Sequence, residues 1–193
     1  CHKPFFYFIC REIAIYNNHN MSCTENLSQF KAADFKKTIG GKETALSVLK
    51  NKQGNEVTIT NYGGAICSTM VPDRNGEMKD VVLGFDNVAN YADKVNSPSD
   101  FGASVGRYAN RINKGVIVID GEAIQLPQNN FGHCLHGGPD GWQYQVYEAV
   151  QTDESTVVLT MESPDGDAIF PGAVTAVVTM KVTDDNAIDI SYE

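Results

Sequence analysis

Two glycine-rich stretches gather the residues able to do chemistry. The first, residues 102–115, reads GASVGRYANRINKG, and the second, residues 129–142, reads NNFGHCLHGGPDGW. Arg107 and Arg111 stand four apart, with Asn110 beside the second arginine. Arginine offers five N–H donors in a planar fork and asparagine offers a donor and an acceptor, so together they can address hydroxyl groups. The alternative is that both arginines pair with surface carboxylates, which is common and contributes little. His133, Cys134 and His136 form a compact trio, but a tetrahedral metal site would need further ligands that the surrounding sequence does not supply. His136 precedes Gly137-Gly138, where the missing Cβ leaves room for a ligand near the backbone. Trp142 either offers an apolar face to a sugar ring or belongs to the core. In a third loop Asp165 and Asp167 carry oxygen ligands of the kind calcium takes; without the remaining ligands of an EF-hand, a solvated turn is the simpler reading. The chain has no GxGxxG, GxxxxGK[ST] or GxSxG motif.

These loops need a scaffold, and the period of the chain from Leu46 onward is two. Val57 and Ile59 alternate with Thr58 and Thr60, as in a half-buried strand. The turn residues Asn61-Tyr62-Gly63-Gly64 lead into a strand over 65–71, and a second turn at 72–76 into a short buried strand, Val81-Val82-Leu83. Val116–Ile119, Asp120-Gly121 and Glu122–Leu126 predict a hairpin with a type I′ turn, whose two central residues need positive φ. Further strands are expected over 144–150, 156–161, 174–182 and 187–192, with a polar turn at 183–186. Leu27, Phe30 and Phe35 either line a short helix or drape over a sheet. No long amphipathic helical stripe is present. The pattern predicts an all-β antiparallel sandwich or barrel. The final strand reaches Glu193 without a closing turn, so the sheet is expected to be incomplete at the C-terminus.

The chain has 193 residues, 42% of them hydrophobic, enough for a core. Lys and Arg number 15 against 24 Asp and Glu, a net charge of -9, which argues against nucleic-acid binding. No apolar run is long enough to span a membrane. Cys1, Cys10, Cys23, Cys67 and Cys134 are odd in number and irregular in spacing, as expected of reduced thiols in a cytoplasmic protein. Residues 1–23 read as an N-terminal extension to a domain over 24–193. Met21 is a candidate start, and a lipoprotein-type export signal is the alternative.

Five motifs in order carry a family resemblance: Asn61–Gly64; Asp80–Phe85; Gly106–Ile112, reading GRYANRI; Leu135–Gly138 with Gly141-Trp142; and Ser163–Gly166 with Phe170–Gly172. From about Leu46 to Glu193 the chain resembles the N-terminal half of the aldose 1-epimerases, or galactose mutarotases. The resemblance implies a large antiparallel β-sandwich that interconverts the α and β anomers of free hexoses such as glucose and galactose, with no cofactor required. It implies sugar contacts at Asn110, Arg111 and His136, and a structural role for Arg107. The family's acid, a second histidine, and its base, a glutamate, are expected beyond Glu193. On this reading residues 1–193 hold no complete catalytic pair. A related enzyme acting on phosphorylated sugars gains little support from the acidic balance. A non-catalytic carbohydrate-binding sandwich is the rival reading.

Overall fold

The computed structural model describes residues 26–193, so the extension expected over 1–23, with Cys1, Cys10, Met21 and Cys23, lies outside the described residues. A two-strand ribbon, β1 (Thr38–Ile39) and β2 (Lys42–Glu43), precedes the first sheet of β3 (Leu46–Lys50), β4 (Glu56–Thr60), β5 (Ala65–Pro72) and β6 (Met78–Asp80). A short helix α1 (Val88–Ala92) follows, then β7 (Arg111–Ile112), the hairpin of β8 (Val116–Ile119) and β9 (Glu122–Gln125), and β10 (Cys134–Leu135), which pairs with β7. The second sheet is β11 (Glu148–Gln151), β12 (Thr156–Ser163), β13 (Val174–Val182) and β14 (Ile188–Tyr192), paired antiparallel in sequence order.

Alternation along β12 and β13 makes the second sheet's inner face. Val157, Leu159, Met161 and Ser163 are buried on one strand, and Ala176, Val178, Met180 and Val182 on the other. The register sets Leu159 opposite Val178 and Val157 opposite Met180, so the apolar side chains share one face. Leu49, Val57 and Ile59 of the first sheet join them in one cluster with Tyr147, which is the face-to-face packing of a sandwich. Burying a side chain such as Leu159 stabilises the fold by about 2 kcal/mol.

The first sheet is covered on its outer face as well. Phe35, Tyr62, Ala65, Cys67, Val88, Tyr91 and Val146 form a second cluster there. Leu27 and Ser28 donate their backbone N–H groups to the buried Glu56 carboxylate at 2.8 and 3.3 Å, which fastens the segment before β1 to β4. Only a single 3-10 turn, Ala32–Phe35, forms in that segment, so Phe30 and Phe35 drape over the sheet. A third cluster of Ile112, Leu126, Cys134 and Phe170 lies beneath the β7–β10 ribbon and the β8–β9 hairpin. That cluster is the platform under the candidate site.

The Asp120-Gly121 turn has the expected positive φ at both residues, 51° and 86°. Other expectations needed correction. Val81 and Leu83 are 65% and 76% exposed rather than part of a buried strand. Strand β6 stops at Asp80 because its carboxylate accepts the N–H groups of Thr69 and Val82, both at 3.0 Å, and bends the chain. The strand expected over 144–150 starts only at Glu148, since Trp142–Tyr144 forms a 3-10 turn. Helix α1 was not foreseen; its cap is Asn87, whose side chain accepts from the Asn90 N–H at 2.9 Å. Among the described residues no helix is long and apolar enough to cross a membrane.

Candidate substrate-binding site

Two chain segments, 106–112 and 133–142, meet at the β7–β10 ribbon. Their closest approach needs glycine. A Cβ on Gly137, at φ 78°, would run into the carbonyl of Gly106, and a Cβ on Gly106 would run into the Trp142 ring. Trp142 donates its backbone N–H to the Gly106 carbonyl at 3.2 Å, and its ring packs against the sandwich core. The core reading of Trp142 therefore holds.

Arg107 spends its whole fork on the loop after β12. Nε donates to Ser163 Oγ at 2.9 Å, Nη1 to the carbonyls of Pro171 and Gly172 at 3.0 and 2.7 Å, and Nη2 to those of Ser163 and Pro164 at 3.0 and 2.8 Å. Those five bonds use every N–H direction of the fork, so Arg107 is a clamp. The same loop consumes the two aspartates: Asp165 accepts from the Gly172 N–H at 2.6 Å and Asp167 from the Ser163 hydroxyl.

Arg111 lies in β7 opposite Leu135 and is exposed. Its Nε donates to Asn130 Oδ1 at 3.0 Å. Neither arginine meets a carboxylate, and the ion pairs among the described residues are all made by lysines, so the surface-pair reading is overturned.

Asn110 and His136 are locked together reciprocally. The Asn110 N–H donates to His136 Nδ1 at 2.9 Å, and the His136 N–H donates to the Asn110 carbonyl at 3.1 Å. Both residues adopt positive φ, 64° and 51°. With Nδ1 accepting, the neutral imidazole carries its proton on Nε2 and offers an N–H donor. His133 repeats the device at the other end of the ribbon, where Nδ1 accepts from the Lys114 N–H at 3.0 Å and Lys114 has φ 54°. Cys134, between the histidines, is buried, and burial pushes its thiol up, away from the thiolate a metal would need. Among the described residues no three His, Cys, Asp or Glu side chains gather as a metal site. Cys67 and Cys134 are free, and burial pushes the Cys67 thiol up to about 12.

The structure thus joins Asn110 to His136 by direct bonds and sets Arg111 on the adjoining ribbon. Sequence reading overlooked two side chains. Asn129 grips Leu135 by both backbone groups, accepting its N–H at 2.8 Å and donating to its carbonyl at 3.1 Å, and Asn130 holds Arg111. The adjacent asparagines before a short apolar pair were the available signal.

The family profile described as aldose 1-epimerase matches residues 46–193. The aldose 1-epimerase of Escherichia coli K12 is 35% identical over 152 residues, which cover 79% of this chain and 43% of that protein. The galactose mutarotase of Bos taurus is 38% identical over 136 residues, covering 70% of this chain and 38% of that protein. The crystal structure of an aldose epimerase homologue from C. elegans superposes with a TM-score of 0.73 at 32% identity, over 77% of this chain and 45% of that one. A galactose 1-epimerase from Lactobacillus acidophilus gives 0.70 at 25% identity, over 81% and 45%. The chain spans less than half the length of these curated relatives. With a matching profile over most of its length and the β-sandwich to go with it, the chain belongs to the aldose 1-epimerase family.

Proposed function

We propose that Asn110, Arg111 and His136 hold a free aldose in an aldose 1-epimerase, with the proton-transferring histidine and glutamate supplied from outside residues 1–193. The observation that carries this reading is the reciprocal lock between Asn110 and His136, 26 residues apart in sequence, beside the exposed guanidinium of Arg111. Both charged or ring groups present donors, Nη groups from Arg111 and Nε2–H from His136. Donors of this kind suit the hydroxyl oxygens of a neutral sugar.

Mutarotation removes the proton of the anomeric hydroxyl, protonates the ring oxygen, rotates the C1–C2 bond and closes the ring on the other carbonyl face. The step needs a base and an acid near neutral pH. It moves protons within one sugar and needs no redox cofactor. Arg111 and His136 orient the pyranose while other groups transfer the protons, so their contribution is positional. Glucose and galactose are the proposed substrates.

Polarimetry of freshly dissolved α-glucose and α-galactose tests the reading. The whole protein should speed the decay of optical rotation, and residues 1–193 alone should leave it at the buffer rate. Sugar binding by the whole protein with no rate gain would favour a non-catalytic carbohydrate-binding sandwich. A clear rate from residues 1–193 alone would show that the acid and base had been placed wrongly.

A further inference from the structure

We infer that Asn130 is a positioning residue that sets the reach of Arg111 toward the sugar. The inference rests on the site reading above. Arg111 is exposed, and among the described residues the one hydrogen bond its side chain makes is from Nε to Asn130 Oδ1, at 3.0 Å. An exposed arginine samples many rotamers, and ordering it costs entropy that a ligand must otherwise meet. A bond at Nε restrains the plane of the guanidinium and leaves both Nη groups free to donate.

Asn130 is suited to this task because its own backbone is fixed. It exchanges two backbone hydrogen bonds with His133, at 3.1 and 2.9 Å. Its neighbour Asn129 grips Leu135, the residue paired with Arg111 across the ribbon. The Asn129-Asn130 pair therefore fixes the strand opposite Arg111 with one side chain and the head of Arg111 with the other. Arg107 shows the contrast: all its donors are occupied, whereas Arg111 is held at one point and otherwise free.

The test is a double-mutant cycle on mutarotation kcat/KM in the whole protein, with Asn130→Ala, Arg111→Ala and the double variant. Asn130→Ala should lower kcat/KM roughly tenfold, the scale of one charged hydrogen bond, mainly by raising KM. In the Arg111→Ala background the same change should cost less than about twofold. Asn130→Asp, which retains the acceptor, should restore most of the activity. The Arg111 Nε–H resonance should exchange slowly in the wild type and quickly in Asn130→Ala. If Arg111→Ala lowers kcat/KM and Asn130→Ala does not, or if the two losses simply multiply, the positioning role is overturned. If Arg111→Ala itself changes nothing, the site reading fails first. If Asn130→Ala misfolds, Asn130→Asp and the Arg111 Nε–H exchange in the wild type still decide: an inactive but folded Asn130→Asp, or a rapidly exchanging wild-type Nε–H, rejects the inference.

Discussion

Between Thr156 and Val182 the chain is spent on strands of eight and nine residues, with inward side chains alternating with outward ones. Between Arg107 and Trp142 no strand exceeds four residues, and Asn110, Lys114, His136, Gly137 and Gly138 all have positive φ. The first region is held by apolar burial with period two. The second is held by side chains reaching the backbone: Arg107 on four carbonyls, His133 and His136 on backbone N–H groups, and Asn129 on Leu135. Long strands tolerate volume-conserving apolar swaps because their core depends on filled space more than on any one directional bond. A ribbon of two-residue strands depends on a few directional bonds, and in exchange it can aim individual donors outward.

The difference can be broken from either side. Leu159→Ala should cost about 2–5 kcal/mol of global stability through the cavity it leaves, read as a lower denaturant midpoint. An unchanged midpoint would mean that the inward register of β12 is wrong. Gly137→Ala should act locally. Strain at positive φ and the clash with the Gly106 carbonyl should cost about 1–3 kcal/mol and, if the proposed function holds, reduce mutarotation by the whole protein more than tenfold. A fully active Gly137→Ala variant would show that the two segments need not approach so closely. Arg107→Lys keeps the charge and loses the fork, worth about 1–2 kcal/mol here. The amides of Asp167 and Gly172 should then exchange faster, and the denaturant midpoint should fall by less than in Leu159→Ala.

The smallest effect is expected from the surface pair of Lys52 and Asp184, 2.6 Å apart at one end of the sandwich. The hydrogen bond from Lys52 holds the Asp184 carboxyl below its ordinary range, and the same bond holds the Lys52 ammonium above its own. A lowered carboxyl stabilises the fold above the ordinary aspartate value of about 3.9, and the gain is lost as pH falls through the lowered value. The raised ammonium stabilises below the ordinary lysine value and loses that contribution as pH rises through the raised one. Asp184→Asn should therefore shift Tm slightly at neutral pH, and not at all in strong acid or about 1 M salt. A large shift would mean that the exposed end of the sandwich carries more stability than its buried face.

The same contrast decides how much was legible in the sequence. Val174–Val182 emerges with the bounds its alternation gave, and Asp120-Gly121 turns as its residues require, because both signals are local. Val81 and Leu83 mislead because an apolar triplet does not show that Asp80 bends the chain just before it. The strands β7 and β10 are two residues each, too short for any period, and exist through partners more than twenty residues away. Residue type and spacing single out Asn110, Arg111 and His136, and their sugar-contacting role is what the family resemblance implies. Their bonding was not legible, since a histidine that accepts a backbone N–H looks like any other in sequence. Asn130 lies in the second glycine-rich stretch, and nothing in its type or spacing shows that it holds Arg111.

His133 and His136 provide an internal control, since each accepts a backbone N–H at Nδ1 and presents Nε2–H. The most direct measurement is imidazole 1H–15N NMR of the labelled whole protein during titration with galactose. The His136 Nε2 resonance should shift with saturating behaviour, while that of His133 stays in place. A titration that leaves His136 unmoved, or that moves His133 alone, would contradict the assignment of the sugar to the Asn110–Arg111–His136 corner.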